Sequence, residues 1–496
     1  MIDRTHRRAA LLVAGCFFME NLDTTIVATS APALAASLHT STTAIGLVLT
    51  AYLLALAVFI PLSGWLAARF GARRIFLTAI AVFTAASLGC AASTGLGELV
   101  ALRVLQGIGG AMMVPVGRLV VVARTAKPDI PKLMSYVIWP GLVAPVIAPL
   151  LGGLLTTYAG WQWMFLINIP LGVVAFAVAW RLVRSQERTD DLPRLDWAGL
   201  LLVGCGLGGL TWAAHLVSDG TGLTGGWAVV TGTLAGSLLL LVAAGWHLRR
   251  SPAPLIDLSA LRFASFRSSV LGGSLFWMVV SAVPFLLPLL FEEVFGWSAV
   301  RSGAVVLWVF VGNIGIKPAT TFLINRFGPR ALLIGSTLLM VCSLAACAVW
   351  TGATPLVVIA LVACLSGVAR SVGLTGYSTI AFADVHGTEL RHANTLSAAA
   401  QQTAMGLGVA LAAVGLRLGG AVSGVLPGGV DPITAYRVDF ALLALLALLA
   451  AVDAVALRRG TGDAIRSRRE PAATGAGRPA AGPAADPADA GAPPAG

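Results

Sequence analysis

Two carboxylates, Glu20 and Asp23, lie three residues apart inside the first long apolar segment of the chain, roughly Arg8 to Leu38. An i, i+3 spacing places both side chains on one face of a helix, one turn apart. An ionised side chain near the centre of a bilayer costs at least ~2.5–3.5 kcal/mol on insertion scales. A membrane segment that keeps two such groups must use them, pair them or protonate them, so this face predicts a site for a proton or a cation.

A later apolar segment carries Arg103 and, on the same helical face, Gln106. Arg103 and Asp23 lie at similar depths in their segments, and a buried arginine needs a counter-charge or carbonyl partners. We expect Asp23 to be that partner and also the first candidate for proton coupling, with Arg103 tuning it. Two alternatives stay open at this point: a static ion pair between them, and an Arg103 that extends to the outer headgroups. Glu20 would carry a proton, select cationic cargo or bind a polar residue of a neighbouring helix.

Three further basic residues, Arg118, Lys317 and Arg370, also lie within apolar segments. Arg118 and Lys317 are close enough to the cytoplasmic end of their segments to extend to the interface, whereas Arg370 lies deeper. Together they would make an inner cavity cationic, which favours anionic or chelating cargo. This arrangement and the acidic first segment point to opposite cargo charges, and the sequence does not choose between them.

The elements that position these residues are membrane-spanning helices. Of 496 residues, 57% are hydrophobic and 11% are charged, against about 25% charged in soluble proteins. Only helices or closed barrels satisfy the backbone in lipid, and these apolar runs are too long for barrel strands. The sequence therefore predicts an all-α integral membrane protein. Its fourteen spans lie at roughly 9–33, 43–66, 75–94, 98–122, 133–156, 161–183, 196–216, 226–248, 267–290, 300–323, 331–350, 354–378, 393–416 and 434–457.

The basic residues are unevenly distributed between alternate loops. With the N-terminus inside, 26 of the 33 Lys and Arg residues fall on one side of the membrane. Positive charge marks the cytoplasmic side, so both termini are expected in the cytoplasm. The net charge of +11 is thereby explained by topology, and we expect no nucleic-acid partner.

The spans divide into six, two and six, a duplication typical of transporters. The two middle spans are rich in glycine and nearly free of charge. The tail is made of Ala, Pro, Gly and Arg, a composition that cannot form a core. The predicted units are an amino-terminal six-helix bundle (1–190), two additional spans (191–250), a cytoplasmic linker (251–266), a carboxy-terminal six-helix bundle (267–457) and a disordered cytoplasmic tail (458–496).

Several other functions lack the residues that they need. The six cysteines all lie in apolar runs without a CxxC or Cys/His cluster, so we expect no metal site and no disulfide. No Walker lysine motif and no catalytic nucleophile constellation is present. We therefore expect no enzymatic activity and no resident cofactor, and a proton gradient as the energy source.

The loop after the second span carries a specific motif, Gly64 to Arg74. It resembles the signature of the major facilitator superfamily, Gly-x-Leu-Ala-Asp-Arg-x-Gly-Arg-Arg/Lys, and departs from it at Ala68, where the family usually has Asp. That Asp is thought to help close the cytoplasmic side, so the resemblance implies a weaker or different latch here. The matching residues are Gly64, Leu66, Ala67, Arg69, Gly71, Arg73 and Arg74.

A run of prolines and small residues in span five resembles the antiporter motif of the same superfamily, which marks exporters more than importers. Its main residues are Pro145, Pro149, Gly152 and Gly153, and Ala148 replaces the first glycine of the motif. Prolines bend the helix, and glycines leave room for a neighbour at the bend. The segment Leu22 to Pro32 is similar to span one of the fourteen-span drug:proton antiporters (the EmrB/QacA type).

The resemblance implies the major facilitator fold, with two six-helix bundles and two inserted helices. It implies a proton-coupled exporter of drugs or other small molecules in the bacterial inner membrane. Its partners would be the lipid bilayer, protons and a small-molecule substrate, and we expect a monomer. The alternative on the same fold is a dedicated exporter or importer of an anionic metabolite or a metal chelate.

Overall fold

Every regular element in the described part of the chain is a helix. The structure is a computed structural model, and it describes residues 4–122, 130–183, 194–218, 226–381, 389–425 and 432–456. The predicted tail, 458–496, lies outside these residues. No β-strand occurs within the described ranges, which agrees with the predicted all-α class.

The described ranges contain seventeen α-helices, α1 to α17 in chain order. The first eight are α1 Arg4–Thr29, α2 Ala31–Ser37, α3 Thr42–Phe70, α4 Ala72–Ala92, α5 Leu96–Val122, α6 Ile130–Tyr158, α7 Trp163–Leu166 and α8 Asn168–Leu182. The others are α9 Trp197–Ser218, α10 Trp227–Arg250, α11 Ala264–Leu289, α12 Ala299–Gly315, α13 Lys317–Phe327, α14 Pro329–Ala348, α15 Leu356–Ala381, α16 Glu389–Val425 and α17 Pro432–Ala456. A 3₁₀ turn, Ser259–Arg262, precedes α11, and a π-helical segment, Leu290–Val294, follows it.

Most of these helices are long and apolar enough to cross a bilayer. Thirteen candidate spans occur in the described residues, by length and composition. A shorter apolar stretch, Val143–Tyr158, forms the second half of α6, which is 29 residues long. The predicted positions of the spans agree with these helices, whereas the exact number of fourteen and the cytoplasmic termini remain predictions.

The two ends of the chain form separate helical groups that repeat one structural device. We call α1–α8 the amino-terminal bundle and α11–α17 the carboxy-terminal bundle. In the first, Gly71 ends α3 and begins α4 with φ 91°; in the second, Gly328 ends α13 and begins α14 with φ 82°. Only glycine adopts such angles without strain, so the chain reverses sharply at both places.

An arginine two residues after each of these glycines joins the reversal to the last helix of its own bundle. Arg73 Nη2 donates to the carbonyl of Trp180 in α8 at 2.9 Å, and its guanidinium lies 5.1 Å from the centre of the Trp180 ring. Arg330 Nη2 donates to the carbonyl of Val455 in α17 at 2.6 Å. The same bond therefore occurs in both bundles, and the duplication stays a prediction of the sequence.

The bundles meet along two pairs of helices. In one pair, α6 lies against α12 so closely that a Cβ atom at Gly153 would lie 2.5 Å from the carbonyl oxygen of Ala299, and one at Gly303 would overlap the Pro149 carbonyl. In the other, α3 lies against α16, where Thr50 Oγ1 donates to the Gly406 carbonyl at 3.2 Å. These contacts lie in the halves of the helices predicted to face outside, so the bundles are closed together at that end.

The two additional helices do not occupy equivalent places. Helix α9 packs against both α3 and α16, one from each bundle, whereas α10 packs mainly on α9 and exposes most of its surface. Leu200 and Leu207 of α9 form an apolar cluster with Leu54 and Val58 of α3. Helix α9 therefore covers the seam between the bundles on one side of the molecule.

An aspartate at the start of α9 ties this hairpin to the linker. Asp196 Oδ1 accepts hydrogen bonds from the Gly199 amide at 2.8 Å and pairs with His247 Nε2 at 2.7 Å, and Oδ2 accepts one from the Leu255 amide at 3.1 Å. Burial alone would raise the pKa of the Asp196 carboxyl, but these hydrogen bonds hold it below its ordinary value. The linker also packs on the carboxy-terminal bundle, since Ile256 and Ala260 share an apolar cluster with residues of α15 and α16.

Candidate functional site

Asp23 lies at the centre of a buried polar network in the amino-terminal bundle. Its Oδ2 atom accepts a charge-assisted hydrogen bond from Arg103 Nη1. Its Oδ1 atom accepts from Gln106 Nε2 at 2.9 Å and from Asn168 Nδ2 at 2.8 Å. All four side chains are 0% exposed. The predicted Asp23–Arg103 pair is therefore present, with two amides that complete the shell of the carboxylate.

Arg103 is enclosed by aromatic rings as well as by its ion partner. The guanidinium carbon lies 4.2 Å from the centre of the Tyr52 ring and 5.7 Å from that of Phe165. Arg103 Nε is 3.5 Å from the carbonyl of Val48, while Nη2 has no hydrogen-bond partner among the described residues. The negative faces of aromatic rings attract a cation, so they replace part of the hydration that Arg103 has lost. Arg103 thus faces the interior and does not extend to the headgroups.

Gln106 connects the ion pair to α4. Its Oε1 atom accepts from Arg103 Nη1 at 2.7 Å, and its Nε2 atom donates to Ser87 Oγ at 2.8 Å. The Ser87 hydroxyl in turn donates to the carbonyl of Phe83 at 2.8 Å. The network consequently joins α1, α4, α5 and α8 through side chains. Burying two charges costs several kcal/mol per ion, so such a pair defines one helix arrangement more than it adds net stability.

Sequence reasoning did not identify Asn168 and Ser87 as site residues. Asn168 is the first residue of α8. Ser87 is an ordinary small residue in α4. A buried amide at a helix start was the available signal for Asn168, whereas nothing local marks Ser87.

Glu20 has surroundings unlike those of Asp23, although the two lie one turn apart. Its side chain is 9% exposed, and its Oε2 atom has no hydrogen-bond partner in the described chain. Arg118 of α5 is the basic residue that interacts electrostatically with it. The Arg118 guanidinium lies 5.3 Å from the centre of the Phe17 ring, and the residue remains exposed. Glu20 therefore lies beside an exposed cation with one oxygen unpartnered in the described chain, whereas Asp23 is held by three donors.

A second group of charges lies in the carboxy-terminal bundle. Lys317 sits at the break between α12 and α13, beside Pro318, and its Nζ donates to Thr375 Oγ1 at 3.3 Å. Arg370 lies close enough to interact with Lys317, with its guanidinium 5.3 Å from the centre of the Phe310 ring and its Nε without a partner among the described residues. Two of the three predicted cavity cations are thus neighbours, while Arg118 lies beside Glu20 in the other bundle.

The predicted conformational residues occupy helix ends and close approaches. Arg69 and Arg74 are exposed beside the Gly71 reversal, and Gly64 has open space where a side chain would be. Gly152 faces the end of α1, because a Cβ atom there would lie 3.1 Å from Ile26 and 2.7 Å from Ser30 Oγ, just after the helix. Pro145 and Pro149 lie inside α6, which continues as one helix through both.

Within the described ranges, no group of three His, Cys, Asp or Glu residues is placed to hold a metal ion.

The fold and the buried network are those of a transport protein, and comparison with known proteins gives the family. The model of the Major Facilitator Superfamily matches residues 13–413, so the chain belongs to that superfamily. A Cronobacter sakazakii protein described as "Putative multidrug resistance protein MdtD" is 37% identical over 474 residues, which cover 93% of this chain and 97% of that protein. A Klebsiella pneumoniae protein of the same description is 39% identical over 414 residues, 82% of this chain and 85% of its own.

Solved structures of transporters share this fold at low sequence identity. An auto-inhibited POT family peptide transporter aligns with a TM-score of 0.67 at 18% identity and covers 91% of this chain and 97% of its own. A bacterial homologue of the lysosomal transporter Spinster, in an inward-facing and unoccupied conformation, aligns with a TM-score of 0.62 at 15% identity and covers 92% and 97%. The chain is thus a multi-span protein of the bacterial plasma membrane with the major facilitator fold, as the sequence predicted.

Proposed function

We propose that this chain is a monomeric secondary active transporter that exports small molecules in exchange for protons, by alternating access of its two bundles. The observation that carries the proposal is the pair of carboxylates on α1, of which Asp23 is held by three donors and Glu20 keeps one oxygen without a partner among the described residues. The name of the relatives as multidrug resistance proteins supports small-molecule export. The proton gradient supplies the energy, and no catalysis or resident cofactor is needed.

The contacts favour a division of labour between the two carboxylates. Asp23 would have to leave Arg103, Gln106 and Asn168 in order to exchange a proton, and breaking a buried pair costs about 3–5 kcal/mol. Glu20 can gain or lose a proton without breaking a hydrogen bond at its Oε2 atom. We therefore assign proton exchange, or competition between a proton and cationic cargo, to Glu20. Asp23, which the sequence placed first, holds the helices that position Glu20.

Dye efflux from energised cells tests this function. Cells expressing the wild type would extrude a lipophilic cationic dye, and a protonophore would abolish the efflux. Glu20→Gln would remove efflux at equal expression, whereas Glu98→Gln, an exposed carboxylate at the start of α5, is the matched control that would retain it. Efflux by the wild type that continues unchanged with the protonophore would refute proton coupling.

The second candidate function is transport of an anionic metabolite or a metal chelate. Lys317 and Arg370 favour it, because two neighbouring cations without a hydrogen-bonded carboxylate in the described chain form a site of positive potential. Lys317 also lies where the helix is interrupted, and interrupted helices often carry transporter substrate sites. If no cationic dye moves in well-expressed cells, uptake of a radiolabelled tricarboxylate into inverted vesicles, in wild type and Arg370→Gln, tests this candidate.

A further inference from the structure

A carboxyl group in the carboxy-terminal bundle has no function assigned by the proposal above. Asp439 of α17 is 1% exposed, and neither of its carboxylate oxygens has a hydrogen-bond partner among the described residues. It lies seven residues after Pro432, about 10 Å along the helix from the end predicted to face outside. An ionised carboxylate in this place would lose its hydration without any replacement, whereas a neutral carboxylic acid costs far less to bury.

A path of proton-carrying side chains leads from the surface towards this group. Tyr436 lies one turn before Asp439 on the same helix and is 5% exposed. Its hydroxyl donates to Glu293 Oε2 at 2.6 Å. Glu293 is exposed and belongs to the π-helical segment at the end of α11, which lies on the predicted outer side. Of the elements packed on α17 in the described chain, α11 and α14 carry Arg267 and Arg330 at the ends predicted to face inside, Arg417 of α16 is exposed, and the π-helical segment carries Glu292 and Glu293. Tyr436 is the ionisable group that interacts electrostatically with both Glu293 and Asp439.

The Asp439 carboxyl also touches the helix that joins the two bundles. A Cβ atom at Gly415 of α16 would overlap the Asp439 carboxylate, so the carboxyl packs directly on the α16 backbone. The same helix meets α3 of the other bundle, where Gly46 lies against Val409 and Ala413. A charge on Asp439 would require water or a movement of α16 away from α17. The protonation state of Asp439 therefore acts on a helix of the outer closure.

We propose that Asp439 is a second proton-binding site, loaded from the outside through Glu293 and Tyr436. Glu293 takes a proton from water and passes it to the Tyr436 oxygen. The Tyr436 hydroxyl, which donates to Glu293 in this structure, has to rotate towards Asp439, and it then gives its own proton to the Asp439 carboxylate. One proton moves inward and tyrosine ends neutral. Protonated Asp439 allows the close contact of α16 and α17, and its deprotonation loosens that contact. The coupling of this proton to transport rests on the proposed function, whereas its binding does not.

Infrared spectroscopy of the full-length protein in lipid nanodiscs tests the binding site. At neutral pH the wild type is expected to show a carbonyl band of a protonated carboxyl group that Asp439→Asn lacks. Glu98→Gln, which changes an exposed carboxylate on the same predicted side, is expected to keep it. Asparagine has nearly the shape of the protonated acid, so the fold should persist. A band of equal intensity in Asp439→Asn would overturn the proposal.

A second variant tests the path, and keeps the proposal falsifiable if Asp439→Asn does not fold. Tyr436→Phe leaves Asp439 in place, so the band should remain, but its response to a pH jump should slow by about tenfold or more because the proton carrier is missing. An unchanged response would refute the path, and a band absent from the wild type would refute the site. Neither measurement needs a cargo. A protein that shows the band but exports no dye would contradict only the proposed function.

Discussion

At the scale of single residues, two carboxylates one turn apart on α1 have opposite surroundings. Asp23 receives three hydrogen bonds from buried donors, one of them from an arginine that is itself enclosed by Tyr52 and Phe165. Glu20 has one oxygen without a partner in the described chain and an exposed cation nearby. The difference in donors, and not in depth, supports the proposed positioning role of Asp23 and the proposed exchanging role of Glu20.

Removing the charge of Asp23 should lower the free energy of unfolding of the protein. Asp23→Asn leaves Arg103 buried without its counter-charge, and we expect a loss of about 3–5 kcal/mol in the free energy of unfolding. The double variant Asp23→Asn/Arg103→Gln should recover part of this loss, because no unpaired charge remains. Thermal unfolding of the purified variants in detergent measures both. Equal stability of the single variant and the wild type would contradict the buried pair.

The sequence predicted the ion pair correctly because depth in a helix can be counted from the residues alone. The same reasoning also placed Gln106 on the face of Arg103. It did not find Ser87, since a single small polar residue in an apolar helix has no property that shows which way it points, and it passed over Asn168, an amide at a helix start. The neighbours of Arg118 could not be predicted either, because they depend on which faces of α1 and α5 are turned towards each other.

At the scale of elements, the reversals at Gly71 and Gly328 give each bundle its shape. Both glycines have positive φ angles and join two long helices without any intervening loop. The arginine two residues later anchors each reversal to the final helix of its bundle. The motif around Gly71 thus forms a structural joint. The second bundle has the same joint at Gly328 and Arg330.

Replacing Gly71 should lower the stability of the protein because of its backbone conformation alone. Gly71→Ala forces a side chain into a left-handed conformation, which costs about 1–2 kcal/mol. Gly64→Ala is the matched control, since Gly64 lies within α3 with open space around it and should gain up to about 1 kcal/mol from helix propensity. Chemical unfolding of both variants gives the comparison. A Gly71→Ala protein at least as stable as Gly64→Ala would contradict the joint.

The contact between α9, α10 and the linker should depend on pH. Hydrogen bonds lower the pKa of Asp196 in the folded protein, so this contact contributes stability above the ordinary pKa of the carboxyl and loses it as pH falls through the lowered value. Hydrogen exchange at the Leu255 amide, which donates to Asp196, measures the contact. We expect protection at neutral pH that is lost on acidification, and loss already at neutral pH in Asp196→Ala. Full protection in Asp196→Ala would show that the carboxyl does not hold the linker.

At the scale of the whole molecule, the two bundles are closed at the end predicted to face outside. The closure depends on glycines, because α6 and α12 approach to backbone contact at Gly153 and Gly303. Helix α9 covers the seam at α3 and α16, so the additional hairpin lies beside the interface of the two bundles. The sequence could not predict this place, since the two extra helices carry no charge pattern that orients them.

A larger side chain in place of a glycine at the α6–α12 contact should force the outer ends of these two helices apart. Gly153→Val places carbon atoms against the Ala299 backbone, whereas Gly315→Val, at the end of α12 beside the break to α13, has open space. We expect Gly153→Val to increase the reactivity of a cysteine introduced at Ala299 towards a membrane-impermeant maleimide, and Gly315→Val to leave it unchanged. Equal reactivity in all three proteins would contradict the outer closure.

Proton exchange at Glu20 is proposed to drive export, and the coupled fluxes of dye and protons through the purified protein measure it. Purified protein is reconstituted in liposomes, a pH gradient is imposed, and the flux of a lipophilic cationic dye is recorded together with internal pH. The account predicts dye movement coupled to opposite proton movement in the wild type, and neither coupled flux in Glu20→Gln. Proton-coupled dye movement at the wild-type rate in Glu20→Gln would contradict it.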